Sequence, residues 1–180
     1  KVYVGFADGF LAAFSVEEGV LLWESRLGDG NKFVDIDSTP VFYKGNLYVG
    51  SLVGDLVMVN SSTGSIIRRL NYKVARAPIV FNDKLLVGTN SGELVLLDSY
   101  HKELMKKKIS KFPISSMNVW KNRIVASTIG KHMFLVKSAD FSIEEKFSLG
   151  TSYSAIFGQT EVKEDVLAAL SSRHRLYVFR

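Results

Sequence analysis

In the stretch "FVDIDSTPVF", Asp35 and Asp37 stand two residues apart, between apolar neighbours and just ahead of Thr39-Pro40. In an extended chain such residues project from one side. Two carboxylates so placed could work as a general acid and base. They could instead meet a partner's cation or free backbone N–H groups through charge-assisted bonds. A third reading is that both are solvated residues capping a turn. No further catalytic side chain converges on them in the sequence, so catalysis is the weakest of the three.

Other chemistry is sparse. His101, His132 and His174 are widely separated, with no His-x-His or His-Glu-x-x-His spacing for a metal. Beyond the Asp pair, no Asp/Asn/Glu cluster offers the roughly six to eight oxygens that calcium takes. "GDGNKF" at Gly28 lacks the later glycine and the helix of a phosphate loop, and no Gly-x-Ser-x-Gly elbow occurs. Asn60-Ser61-Ser62 fits a glycosylation sequon, but such triplets arise by chance. With no cysteine, disulfide and thiolate chemistry are excluded. Neither cofactor nor metal is expected.

The elements that must position Asp35 and Asp37 come from a repeat. "KVYVGFADGFLAAF", "NLYVGSLVGDLVMV", "KLLVGTNSGELVLL" and "RIVASTIGKHMFLV" begin at Lys1, Asn46, Lys84 and Arg123, and a fifth copy, "DVLAALSSRHRLYVFR", at Asp165. The period is about 40 residues, with four short strands in each. Asp8-Gly9, Gly54-Asp55, Ser91-Gly92 and Gly130-Lys131 suit the positive φ of tight hairpins. No stretch shows helical periodicity over a long window. The pattern predicts an all-β fold, a β-propeller of four-stranded antiparallel blades. A stacked parallel solenoid, whose coils are shorter, ranks well below it.

The strands group as three, four, four, four and three, so neither end blade is complete. Residues 1–180 are therefore expected to form one partial propeller domain, with an upstream segment supplying the missing strands. A chain 47% hydrophobic and 23% charged can bury a sizeable core. No segment approaches the roughly 18 unbroken apolar residues of a membrane helix. The net charge is +5, and "KELMKKKISK" concentrates lysines at 102–111. These suit a solvated outer strand guarded against edge pairing. They lack the interleaved aromatic residues of a nucleic-acid platform, and no nucleic-acid partner is expected.

Ala13-x-Ser15-x-x-x-Gly19-x-x-x-Trp23 resembles the tryptophan-docking repeat of quinoprotein-like propellers. The second copy keeps Asn60, Thr63 and Gly64 but has Arg68 at the Trp position. The third keeps Asp98, with Lys102 and Lys106 at the Gly and Trp positions, and the fourth has lost the motif. Trp23 is expected to pack between blades. Within that superfamily, "VDIDSTPVFYKGNLYVGSLVGDLVMVNSSTG" and the closing "RLYVFR" resemble the BamB family of outer-membrane assembly lipoproteins.

That resemblance implies the C-terminal half of an eight-bladed, non-catalytic scaffold in the BAM complex. It implies a periplasmic location at the outer membrane of a Gram-negative bacterium, with the lipid anchor upstream. It implies the POTRA domains of BamA as partner, and gives partner contact to Asp35 and Asp37. The alternatives are a quinone-cofactor (PQQ-dependent) dehydrogenase-like propeller and a sugar- or peptide-binding periplasmic propeller. The repeat itself favours a role outside the fold. With Pro40 aligned on Pro78, Asp35 falls on Lys73 and Asp37 on Ala75. The next blade thus does without both carboxylates.

Overall fold

The computed structural model describes residues 1–28, 35–36, 38–51, 54–74, 76–150 and 154–180. Among these it holds eighteen strands and no helix. β1 (Val2–Gly5), β2 (Phe10–Phe14) and β3 (Leu21–Arg26) form a three-stranded sheet. β4 (Val41–Tyr43), β5 (Asn46–Val49), β6 (Asp55–Asn60) and β7 (Ile66–Lys73) form a four-stranded one. β8 (Ile79–Phe81), β9 (Lys84–Gly88), β10 (Glu93–Leu97) and β11 (Glu103–Lys108) make a third sheet. β12 (Ile114–Trp120), β13 (Arg123–Thr128), β14 (His132–Lys137) and β15 (Ile143–Ser148) make a fourth. β16 (Glu161–Lys163), β17 (Val166–Leu170) and β18 (Leu176–Phe179) close the series. The order within every sheet follows the chain, and the pairing is antiparallel. The grouping of three, four, four, four and three matches the expectation from the repeat.

Turn chemistry sets these meanders. Lys44-Gly45, Asn82-Asp83 and Lys121-Asn122 each have both residues at positive φ, between 48° and 80°. That geometry belongs to two-residue hairpins whose twist matches the strands they join. The following hairpin turns on Gly9 (φ 85°) in the first sheet, Gly92 (φ 80°) in the third, Lys131 (φ 63°) in the fourth and His174 (φ 56°) in the fifth. A bulge recurs where each third strand meets its outer partner, after Ala13, Met58, Leu96 and Leu135. It falls at one place in the repeat, so it belongs to the blade design.

The bulge corrects one detail of the motif alignment. Trp23 pairs with Ala13 at the first bulge, and Arg68 with Met58 at the second. At the third, Leu96 pairs with Met105, not with Lys106. The turn before it is one residue shorter: Asp98 N donates to Lys102 O, where Asn60 N reaches Ser65 O. His101 (φ 66°) takes the place of the turn glycine. A half-buried methionine therefore occupies the tryptophan position, which suits a site of apolar packing.

By its contacts the chain divides into two compact units, Lys1–Val80 and Phe81–Arg180. In the first, one core gathers Leu11, Ala13 and Trp23 from the first sheet with Leu47, Val49, Val57 and Val59 from the second. Trp23 lies between sheets, as expected. Its Nε1 donates to Ser61 O at 3.2 Å, and a β-carbon on Gly64 would meet its ring at 2.5 Å. In the second unit Trp120, Val125, Met133 and Leu135 pack on Ile156, Leu167 and Ala169. There Trp120 Nε1 donates to Asp165 O at 2.8 Å. One meander has two apolar faces, and each sheet buries a face against its neighbour.

Candidate functional site

The segment from Leu27 to Pro40 connects β3 to β4 and carries the Asp pair. Its entry is fixed by Leu27 N donating to Gly9 O at 2.8 Å. Further on, Ile36 N donates to Phe6 O at 3.2 Å, and the Ile36 side chain is buried on Gly5. Two residues later Ser38, also buried, grips the second sheet. Its Oγ donates to Gly50 O at 2.7 Å and accepts from Gly50 N at 3.2 Å. The connector is thus held to both sheets by residues 36 and 38.

Asp35 is exposed beside this anchorage. Asp37 lies outside the described residues. The repeat shows why residue 35 is open to choice. Val74 packs on Gly50, and Ile114 on Gly88, as Ile36 packs on Gly5. Ile114 N also donates to Thr89 O, the counterpart of the Ile36–Phe6 bond. All three anchors are buried and apolar. Each is preceded by a residue of different type: Asp35, Lys73 and Pro113. Lys73 pairs instead with Asp55 of its own sheet at 2.7 Å.

The sequence alone singled out the carboxylates and missed Ile36 and Ser38, which hold the segment. Only the recurring glycine that ends "VYVG", "LYVG" and "LLVG" signalled a close approach. The three histidines are not brought together as ligands. His101 and His174 occupy turns, and His132 lies on β14 with its ring 6.1 Å from Phe134. Burial, then Lys146 and Lys131, push the His132 pKa below its ordinary value. Among the described residues no group of three or more His, Cys, Asp or Glu could hold a metal ion.

Among the described residues of the connector, Ile36 and Ser38 are buried and Asp35 is exposed. The fold that carries it is a β-propeller of quinoprotein-like repeats. The family model described as outer membrane protein assembly factor BamB matches residues 1–108, more than half of the chain. The chain belongs to that family. It is 32% identical over 85 residues to the outer membrane protein assembly factor BamB of Kangiella koreensis, covering 44% of this chain and 22% of that protein. To the protein of that name from Shewanella oneidensis it is 36% identical over 76 residues, covering 39% and 19%. The crystal structure of BamB from Moraxella catarrhalis superposes with a TM-score of 0.74 at 18% identity, over 98% of this chain and 54% of that one. A computationally designed protein, Ika8, reaches 0.78 at 14% identity, with the same coverages. The chain thus spans about half of that BamB, and the curated matches span about a fifth of each relative.

Proposed function

We propose that the chain is part of a non-catalytic scaffold in the outer-membrane β-barrel assembly complex. It works on the periplasmic side and engages the POTRA domains of BamA through the Asp35–Asp37 connector. In this reading residues 1–180 belong to one larger propeller, attached to the membrane by a lipid anchor elsewhere in the polypeptide. Membership of the BamB family supports the assembly role. The observation that carries the contact is the exposure of Asp35 beside buried Ile36 and Ser38. The anchors hold the segment, so the carboxylate is left free for recognition.

Two carboxylates on a chain of net charge +5 form a local acidic spot. A partner meeting it with Arg, Lys or strand-edge N–H groups would form charge-assisted bonds. Losing one member of a buried charged pair costs about 2–5 kcal/mol of binding. The test is Asp35→Ala with Asp37→Ala in the full-length protein, read by BamA pull-down and by melting temperature. Weakened capture with an unchanged melting temperature is expected. Intact capture by a destabilised protein would reject the contact. A dye-reduction assay with added quinone cofactor and calcium checks the enzyme alternative, and no turnover is expected.

A further inference from the structure

The repeat departs from itself at a second position, beside the Asp35 connector. Phe6 follows Gly5 and stands three residues before the turn residue Gly9. The same place in the other sheets holds Ser51, Thr89, Thr128 and Ser171. Each of these hydroxyl oxygens accepts a backbone N–H of its own turn, from Gly54 at 3.0 Å, Glu93 at 3.0 Å, Gly130 at 3.3 Å and Arg175 at 3.3 Å. Thr89, Thr128 and Ser171 are buried. Phe6 can accept no such bond and is 41% exposed. In its turn Asp8 Oδ1 takes the Phe10 N–H instead, at 3.4 Å.

The backbone around Phe6 is still that of the repeat. Phe6 N donates to Phe10 O at 2.9 Å, and Phe6 O accepts from Gly9 N at 3.1 Å and from Ile36 N at 3.2 Å. Thr89 makes the same three bonds, with Glu93, Gly92 and Ile114. The aromatic side chain therefore adds nothing that the turn requires. A lone exposed apolar residue is ordinary. This one replaces a turn-bracing hydroxyl on a fixed backbone, and its carbonyl is bonded to the residue next to Asp35. Phe6 and Asp35, both departures from the repeat, are thus joined through one hydrogen bond.

We propose that Phe6 and Asp35 form one recognition spot for an arginine side chain of the protein partner. The inference rests on the reading of the Asp35 connector as a partner contact. The chemistry selects the residue. A guanidinium is planar, forks onto a carboxylate and stacks on an aromatic face, whereas an ammonium is a strongly hydrated point charge. The negative face of a phenyl ring attracts a cation, most of all where water is excluded. Arginine and aromatic residues also carry much of the energy at protein interfaces. Asp8, exposed on the same turn, adds to the negative potential. The chain's own Arg26 is engaged elsewhere, over the Phe10 ring at 6.0 Å from its centroid.

The test is a double-mutant cycle on the full-length protein, read as the dissociation constant for the BamA POTRA domains, with a melting temperature for each variant. Phe6→Thr puts back the residue that Thr89 and Thr128 supply, so it should melt no lower than the parent. It should weaken binding about tenfold, and Asp35→Asn should do the same. Together they should lose less than the product of the two factors, because both hold the same side chain. Phe6→Leu keeps an apolar surface without the ring face and should fall between the parent and Phe6→Thr. If Phe6→Thr melts lower than expected, Phe6→Leu and Asp35→Asn still decide. Unchanged binding in Phe6→Thr with weakened binding in Asp35→Asn would overturn this inference and leave the connector contact standing. Undiminished binding in Asp35→Asn would overturn both. Losses that simply multiply would show that no single side chain spans the two residues. Parent-like affinity in Phe6→Leu would overturn the assignment to a guanidinium.

Discussion

Ile36 lies so close to Gly5 that a β-carbon on Gly5 would stand 2.4 Å from Ile36 Cγ2 and 2.6 Å from its carbonyl oxygen. One of those neighbours is backbone, which cannot rotate away. Gly5→Ala should therefore lift the connector and cost about 1–3 kcal/mol, as overpacking does. Ile36→Ala, which empties the same contact, should cost about 2–5 kcal/mol. Urea unfolding of the two variants, compared at equal slope, measures both.

Asp35 and Ser38 should separate in the same assay. Asp35→Ala should change stability by no more than about 0.5 kcal/mol, as exposed substitutions do. Ser38→Ala removes the partner of both Gly50 N and Gly50 O. It should cost about 1–3 kcal/mol. Equal effects of the two would show that the outer residue also holds the fold.

At Trp23, two donors share one acceptor. Ser61 O accepts from Trp23 Nε1 and, at 3.3 Å, from Tyr3 Oη. Trp23→Phe keeps one donor on the carbonyl and much of the ring packing, and should cost about 1 kcal/mol beyond the lost area. Combined with Tyr3→Phe it leaves Ser61 O without either donor. The double variant should lose more than the sum of the singles, a coupling that a double-mutant cycle reads directly.

Acid should act on the second unit through Glu93. Its carboxyl is held below the usual carboxylate range, first by the Ser91 hydroxyl, which donates to it at 2.7 Å, and then by Lys106. A carboxyl with a depressed folded pKa contributes stability that is present above its unfolded value and lost as pH falls through the folded one. Ser91→Ala should therefore reduce the stability difference between pH 7 and about pH 3. At the alkaline end, burial and then Tyr43 push Tyr48 up to about 12. Its contribution is complete below the ordinary phenol value and is lost as pH rises from about 10 towards 12. Absorbance titration of the phenolates alongside unfolding by base checks the order.

Much of this architecture was legible because its causes are local. Turn pairs such as Ser91-Gly92, and apolar runs such as Leu94–Leu97, carry their conformation in residue type and spacing. The blade count followed from them. The grip of Ser38 on Gly50 and of Trp120 on Asp165 was not legible. Each joins residues that only the fold brings together, and although the glycine at 50 signals a close approach, no residue type names its partner. The one-residue contraction that moves Met105 into the tryptophan position was hidden for another reason. Alignment by motif assumes equal turns, and only the hydrogen bonds of Asp98 show the turn to be short. The carboxylates were visible as an anomaly. Their neighbours, which decide whether that anomaly is free to act, were not.

The double attachment of the Leu27–Pro40 connector has a mechanical consequence. Its bonds at Leu27 and Ile36 tie it to the sheet it leaves, and those at Ser38 tie it to the sheet it enters. Tension applied along the backbone at β4 would load Ser38 and then Ile36 before reaching β3. Stretched from its ends, the first unit should release length in steps, with that attachment as the fuse between one sheet and the next.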